Sequence, residues 1–195
     1  MEDQFFVIAD KESGLWSPTE YLEWERQQCI RHEFADGKIS AMTGGTVAHN
    51  SIALNLAAAL RNHLQGGSCR YFVSDLKVQV DHEGPFFYPD VMVTCDKRDD
   101  DAVYIIQYPC TIIEILSPST EAYDRGRKFE QYRRIATLRE YILIDSQKAS
   151  VECFRRSVTA ENIWLLHFYN EPSVVSFDSL GMQIPMAAIY ENIRF

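Results

Sequence analysis

Apolar residues recur at helical spacing in two long stretches of the chain. Ile52, Leu56 and Leu60 fall on one side of a helix that the pattern predicts for residues 47–64. A second helix is predicted from about residue 122 to residue 136, directly after a short apolar run and a turn. Shorter helices are expected at residues 17–28 and 185–192.

Short apolar or alternating runs predict β-strands between these helices. Leu76, Val78 and Val80 alternate with polar residues, which is the pattern of a strand with one buried face. Asp36-Gly37 is a favoured two-residue turn and predicts a β-hairpin over residues 31–42. All other predicted strands lie at residues 5–9, 70–81, 86–95, 103–108, 111–116, 140–145, 150–156 and 162–169. This mixture predicts an α+β fold with a mixed sheet, in a single domain spanning residues 1–195.

Composition narrows the class of protein without naming a function. The chain is 46% hydrophobic and 24% charged, as expected of a globular protein in water. Its apolar runs are all shorter than the roughly 20 residues that span a bilayer, and its start is acidic, unlike a secretory signal. Five widely spaced cysteines without a C-x-x-C motif argue against a disulfide framework or a zinc cluster. We therefore expect a cytoplasmic protein in a reducing compartment.

The charge of the chain bears on possible nucleic-acid binding. The formal net charge is −9, whereas contacts to phosphates call for a basic surface. Positive charge is concentrated in one segment, between Arg125 and Arg139, which holds six arginines and lysines. That segment is either a nucleic-acid contact or simply the solvated face of a helix.

Two acids occur in apolar surroundings where an ionised carboxylate is costly to bury. Glu114 interrupts the run Thr111–Leu116, and Asp90 follows Pro89 in the predicted strand 86–95. If the two strands are neighbours, both carboxylates converge near one point. Such acids, with waters and a backbone carbonyl, suit Mg²⁺, although Glu114 could instead pair with a buried arginine and Asp90 could be a turn residue.

Lys128 falls on the inward side of the second long helix. At about 100° per residue it lies between Tyr132 and Ile135, which belong to the apolar face. Its alternative is a lysine whose amine extends past the apolar face into solvent. Asp124, one turn earlier, could pair with Lys128, although stabilisation of the helix start is its more common role.

Three further residues are weaker candidates. Glu33 lies on an arm of the hairpin, His49 is in the first turn of the helix 47–64, and Asp75 belongs to the polar face of its strand. The chain lacks a phosphate-binding glycine loop and the G-x-S-x-G and H-E-x-x-H motifs. Nucleotide kinases, serine hydrolases and zincins are therefore disfavoured.

Five segments, read in order, carry a family resemblance: HEFADGKISAM, YPDVMV, IIEILSPST, DRGRKFEQY and REYILID. They resemble a family of bacterial restriction-endonuclease-like proteins in the PD-(D/E)XK nuclease superfamily. The resemblance covers about residues 31–145 and implies a core in which helices flank a mixed sheet. It also implies that Asp90 is the aspartate of the PD motif, Glu114 the second acid and Glu33 an upstream acid.

The sequence departs from the superfamily pattern at one position. That pattern has a lysine two residues after the glutamate, and here the position is occupied by Leu116. The resemblance implies that Lys128 supplies the amine from the helix instead. This substitution works only if Lys128 faces the sheet.

The first hypothesis is a Mg²⁺-dependent DNA endonuclease, with Mn²⁺ as a substitute metal. Asp90 and Glu114 would bind the metal, Glu33 would be a further acid, and Lys128 would position the attacking water or stabilise charge. A homodimer is expected if both strands are cut. The alternatives are a catalytically silent nuclease fold that binds or assembles with a protein, and a metal-dependent hydrolase of small phosphodiesters.

Overall fold

The structure is a computed structural model that describes residues 14–42 and 44–195. The predicted strand at residues 5–9 lies outside the described residues. The helices are α1 (Pro18–Glu25), α2 (Val47–Leu64), α3 (Glu121–Tyr123), α4 (Phe129–Tyr132) and α5 (Met186–Ile189), with a π-helical turn (Asp124–Lys128) joining α3 to α4 and short 3₁₀ turns at Lys97–Asp99 and Asp178–Leu180. The strands are β1 (His32–Ala35), β2 (Lys38–Ala41), β3 (Arg70–Val73), β4 (Lys77–Gln79), β5 (Phe86–Phe87), β6 (Val91–Thr94), β7 (Ile105–Ile106), β8 (Thr111–Leu116), β9 (Glu140–Asp145), β10 (Ser150–Arg156), β11 (Trp164–Asn170), β12 (Val174–Phe177) and β13 (Met182–Pro185).

The strands form two larger sheets and one pair. The six-stranded sheet has the order β11-β10-β9-β8-β6-β3, the five-stranded sheet has the order β2-β1-β5-β4-β7, and β12 pairs with β13. Strands β8 and β9 are parallel, as are β4 and β7, and the other pairs are antiparallel. The predicted α+β fold with a mixed sheet is confirmed.

The six-stranded sheet is covered on both faces, so its central strand is buried throughout. Every residue of β8 is buried. Ile113 and Ile115 point towards α2, whereas Ile112 and Leu116 pack with Tyr132 from the helical residues 121–132. Because side chains alternate along a strand, Glu114 points to the same side as Ile112 and Leu116.

Several elements occur where the sequence predicts them. The helix 47–64 and the strands 111–116, 140–145 and 150–156 have the predicted bounds. In the hairpin β1–β2, Asp36 and Gly37 have φ angles of 52° and 73°, as the predicted two-residue turn requires. Helix α1 begins with a reciprocal capping box between Ser17 and Glu20.

Two predicted strands were wrong because each is divided between the two sheets. Residues 70–81 form β3 and β4, separated by Ser74 and Asp75 with positive φ angles of 55° and 22°. Residues 86–95 likewise form β5 and β6, which are separated by a segment containing Pro89. Strand-forming residues continue on both sides of each crossing, so the sequence pattern could not locate it. Asp90 therefore lies just before a strand, not within one.

The cysteines also correct an expectation. Cys69 and Cys95 form a disulfide that joins β3 to β6, two antiparallel neighbours. The spacing of 26 residues along the chain hides this pairing, which depends on the register of the two strands.

Among the helices of residues 14–42 and 44–195, none is both long enough and apolar enough to cross a bilayer.

Candidate active site

The register of two antiparallel strands brings Asp90 and Glu114 together. In the β6–β8 pair, Val91 faces Ile113, which places Asp90 opposite Glu114. The backbone amide of Asp90 lies 3.4 Å from Glu114 Oε2, and Asp90 Oδ2 accepts a 2.7 Å hydrogen bond from the amide of Ile115. The predicted convergence of the two acids is thus observed at the junction of the two sheets.

Lys128 lies between two of the predicted acids. Its Nζ atom is 2.9 Å from Glu33 Oε1 and 3.0 Å from Glu114 Oε1, and its side chain is only 7% exposed. Glu33 arrives from β1 of the other sheet, and its Oε1 atom also accepts a hydrogen bond from the amide of Tyr88. The predicted inward orientation of Lys128 is therefore observed, and Glu33, an unpromising hairpin residue in the sequence, belongs to the same cluster.

A π-helical turn sets the direction of the lysine. Between Asp124 and Lys128 the helix is wound more widely than an α-helix, and both residues at its ends are buried. Asp124 Oδ1 lies 3.7 Å from Lys128 Nζ. Wide turns of this kind are rare and occur frequently at functional sites. Tyr141 fixes the start of the turn by donating a 2.9 Å hydrogen bond to the carbonyl of Asp124.

Two aromatic side chains hold the acids in place. His49 Nε2 is 3.1 Å from Asp90 Oδ2, so the first turn of α2 reaches the site from the opposite face of the sheet. The hydroxyl of Tyr132 donates a 2.9 Å hydrogen bond to Glu114 Oε1. From the sequence alone, His49 is only a weak candidate, and Tyr132 belongs to the apolar face of the predicted helix.

The cluster carries an excess of negative charge. Three carboxylates, those of Glu33, Glu114 and Asp124, lie within 3.7 Å of the ammonium of Lys128, and Asp90 adds a fourth beside Glu114. Burial raises the pKa of Glu114 well above its ordinary value; Lys128 opposes this effect and the neighbouring acids add to it. Burial likewise raises the pKa of Asp124 to about 6, against the opposing charge of Lys128.

The two basic groups respond to the same excess of acids. Burial lowers the pKa of Lys128, but the charges of Glu114 and Glu33 outweigh it and raise that pKa well above the usual range. Burial also lowers the pKa of His49, and the hydrogen bond to Asp90 reverses this to a net rise. Lys128 is consequently a permanent cation at neutral pH and suits electrostatic stabilisation, not proton abstraction.

The donor set is compatible with a divalent cation that completes its shell from solvent and substrate. Within residues 14–42 and 44–195, no three His, Cys, Asp or Glu side chains are arranged as a ready-made metal site. Within the described residues, the hydrogen bonds of the Asp90 carboxylate use Oδ2, and Glu114 Oε2 accepts only the long 3.4 Å bond from the amide of Asp90. Asp90 Oδ1 and the second lone pair of Glu114 Oε2 can therefore face an ion. Two carboxylates suit Mg²⁺, which keeps several waters and takes other ligands from phosphates.

Three of the six basic residues in the predicted basic segment are paired with acids on the surface. Arg125 pairs with Glu121 and Glu152, Arg127 with Asp36, and Arg134 with Asp81. Since Lys128 is buried in the site, this segment offers less free positive charge than its sequence indicates.

Comparison with known proteins identifies the family of the chain. The model of the Uma2 family, described as "Putative restriction endonuclease", matches residues 18–187. Two uncharacterized proteins of Synechocystis sp. (strain ATCC 27184 / PCC 6803 / Kazusa) are similar to the chain. The protein slr1290 is 40% identical over 92% of this chain and 93% of its own length, and sll1609 is 34% identical over 78% and 86%.

A solved structure shares the fold. A crystal structure from Anabaena variabilis ATCC 29413, described as a putative nuclease belonging to DUF820, superposes with a TM-score of 0.72 and 17% identity. The match covers 88% of this chain and 96% of that chain. At this identity the likeness concerns the fold alone, whereas the family match covers most of the sequence. The chain belongs to the Uma2 family and has the fold of the restriction-endonuclease-like superfamily.

Proposed function

We propose that this protein is a metal-dependent endonuclease that hydrolyses phosphodiester bonds of DNA, with Mg²⁺ as the metal and Mn²⁺ as a substitute. Membership of a family described as restriction endonucleases supports the nuclease class. One observation supports the metal requirement: four acids, Glu33, Asp90, Glu114 and Asp124, gather in one cluster, and the Lys128 ammonium pairs with three of them. A divalent cation is the simplest partner for the remaining negative charge.

Each side chain of the cluster has a distinct task in this proposal. Asp90 and Glu114 would hold the metal, while His49 and Tyr132 fix the orientation of the two carboxylates. When bound, Mg²⁺ polarises the phosphate and supplies a hydroxide-like nucleophile at neutral pH. Lys128 donates hydrogen bonds to the attacking water or to the phosphoryl oxygens, where negative charge grows in the transition state. Glu33 keeps the ammonium aligned from the other side.

Titration calorimetry with Mn²⁺ tests the metal site apart from cleavage. The wild type should give a binding isotherm, and Glu114→Gln should lose it because a neutral amide replaces one of the two carboxylate ligands. Glu130→Gln, at an exposed position of α4, is the matched control and should bind as the wild type does. An isotherm that survives in Glu114→Gln would contradict the assignment of the metal to Asp90 and Glu114.

The two alternatives make different predictions in the same experiments. A silent nuclease fold would bind no metal at the acids and cleave neither DNA nor small phosphodiesters. A hydrolase of small phosphodiesters would bind metal and cleave bis(p-nitrophenyl) phosphate, but its rate would not depend on DNA. DNA cleavage that requires the metal and Glu114 therefore separates the main proposal from both.

The proposed active form is a homodimer joined through the edge strand β11. This strand ends the six-stranded sheet and exposes Leu165, Leu166 and Phe168. No Asp, Glu, Lys or Arg interrupts Trp164–Asn170, although charged residues usually protect an exposed edge from pairing. Two copies of β11 can pair antiparallel about a twofold axis, which would carry one site to each DNA strand.

Sedimentation velocity tests the dimer directly. Phe168→Lys should shift the wild-type dimer to a monomer, since it places a charge in the centre of the proposed strand pair. Val158→Lys, which is 91% exposed and lies outside β11, should leave the dimer intact. A monomeric wild type at all concentrations would overturn the proposed assembly and leave the proposed chemistry untouched.

A further inference from the structure

A cavity of about 860 Å³ lies on the far side of Tyr88 from the acid cluster. Its volume is that of a site for a drug-sized or nucleotide-sized ligand. The backbone amide of Tyr88 donates to Glu33, while its side chain lines the cavity. Tyr88 and Asp90 are two residues apart, so the cavity begins within about 7 Å of chain from the candidate metal ligand.

Positive charge is concentrated at this cavity in an otherwise acidic protein. Arg26, Arg31 and Lys77 line it, and two of them lie over the ring of Tyr88: Arg31 Cζ at 5.8 Å from the ring centre and Lys77 Nζ at 5.0 Å. Within the described residues, Lys77 makes no ion pair with an acid. Burial lowers the pKa of Lys77; the charge of Glu25 opposes this, and those of Arg31 and Arg26 add to it. An anion in the cavity would supply the missing counter-charge.

Three cations line the cavity against two acids, Glu25 and Asp75, so the acids offset only part of the positive charge. Glu25 is buried and already engaged, since it accepts hydrogen bonds from the amide of His32 and the hydroxyl of Tyr88 and contacts the His32 ring at 2.9 Å. Asp75 lies 3.6 Å from Arg31, but its side chain is 80% exposed, so water screens this pair. The cavity therefore favours an anionic ligand.

An exposed aromatic side chain at the cavity adds a stacking surface. Tyr104, just before β7, lines the cavity and is 70% exposed. Cations that follow a phosphate backbone, combined with aromatic rings for the bases, are the two elements of single-strand recognition. Free phosphate would use the cations alone and would leave Tyr104 without a role.

We propose that this cavity binds a single-stranded nucleotide segment of the DNA that enters the active site, with Lys77 and Arg31 on phosphate and Tyr104 stacked on a base. This inference rests on the function proposed above and names the part of the substrate that the chain holds next to the cleavage position. Because the cavity begins within about 7 Å of chain from Asp90, it holds the strand a short distance from the bond to be cut.

Fluorescence anisotropy with a short fluorescein-labelled single-stranded DNA, in EDTA, measures this binding without cleavage. Lys77→Gln should weaken binding about tenfold and reduce the slope of log affinity against log salt by about 0.7, because one phosphate contact is lost. Tyr104→Ala should weaken binding about tenfold with an unchanged salt slope, because it removes stacking and no charge. Because Tyr104 is exposed, Tyr104→Ala should fold normally. It therefore tests the inference even if Lys77→Gln fails to fold.

Arg61→Gln is the matched control. Arg61 is an exposed cation on α2, twelve residues and about 18 Å along the helix from His49. It should bind the oligonucleotide as the wild type does. Wild-type affinity in both cavity variants, or no binding by the wild type at low salt, would overturn the inference.

Cleavage measured separately distinguishes this inference from the proposed function. If the wild type cuts DNA with Mg²⁺ while both cavity variants bind like the wild type, the cavity inference fails and the function stands. If the cavity variants lose binding but the wild type never cuts DNA, the nucleotide site stands and the nuclease proposal fails.

Discussion

At the scale of single residues, Lys128 determines how the cluster can work. Its ammonium bridges Glu33 of one sheet and Glu114 of the other, and its pKa is raised by those acids against the effect of burial. A lysine that remains protonated can attract the phosphate and stabilise developing charge. It also explains how four acids can lie close together before a metal ion binds.

Asp124→Asn should flatten the dependence of stability on pH. Because burial raises the folded-state pKa of Asp124 from 3.8 to about 6, the folded protein binds this proton more tightly than the unfolded chain does. The resulting stabilisation is complete below the unfolded pKa and is lost as the pH rises through about 6. Relative to Asp124→Asn, the wild type should lose about 1–3 kcal/mol between about pH 4 and 7.

Urea unfolding in EDTA buffers measures that difference. Glu130→Gln serves as the control, since it changes an exposed acid of the neighbouring helical segment. Parallel pH profiles for the wild type and Asp124→Asn would show that Asp124 does not bind its proton more tightly in the folded state.

At the scale of elements, the π-helical turn and the two sheet crossings position the site. The turn Asp124–Lys128 buries both of its end residues, and the crossing before β6 places Asp90 opposite Glu114. Each feature is a local departure from regular structure. In this protein the irregular positions coincide with the candidate chemistry.

Gly126→Ala should stabilise the protein without changing the site. Gly126 lies inside the π-helical turn, and a Cβ atom added there would meet no atom within 4 Å. Alanine reduces the freedom of the unfolded chain, so the free energy of unfolding should rise by about 0.4–1 kcal/mol and Tm by about 1–4 °C. Calorimetry should show the opposite for Gly37→Ala, since Gly37 has a φ of +73° and its Cβ would lie 2.6 Å from Leu15 Cβ. A destabilised Gly126→Ala protein would mean that the turn requires glycine.

The disulfide between β3 and β6 determines how many cysteines can react with a thiol reagent. Unreduced, denatured protein should react with a thiol reagent at three cysteines, namely Cys29, Cys110 and Cys153, and at five after reduction. Five reactive thiols before reduction would show that Cys69 and Cys95 are not joined and would restore the expectation of a fully reduced protein.

Sequence patterns predicted the elements far better than their connections. The continuous apolar run predicts the buried strand β8, and the periodic apolar positions predict helix α2. The inward orientation of Lys128 follows from its position on the helical wheel. The crossings at Ser74-Asp75 and Pro89-Asp90 join segments that both have strand-forming residues, and β5 and β6 are buried at every residue, so the change of sheet leaves no trace in the apolar pattern. His49 was left undecided for a related reason: its contact to Asp90 spans 41 residues and depends on how α2 lies across the sheet.

At the scale of the whole molecule, the distribution of charge bears on DNA binding more than the net charge does. The net charge of −9 disfavours DNA, and three of the five arginines in residues 125–139 are paired with acids. We expect Arg26, Arg31 and Lys77, which lie beside the site, to meet the phosphate backbone. An acidic protein with a small basic cavity beside the site should bind DNA weakly, and added salt should weaken this binding further.

Cleavage of supercoiled plasmid DNA with Mg²⁺, compared between the purified wild type and Lys128→Met, tests the catalytic role of the cluster most directly. We expect the wild type to nick the plasmid and EDTA to abolish this nicking. Lys128→Met keeps the volume of the side chain but removes its charge, so its rate should be at least about a hundredfold lower. Arg61→Gln should retain the full rate. Equal cleavage by the wild type and Lys128→Met, with both folded, would contradict the central claim that this acid–lysine cluster is the catalytic centre.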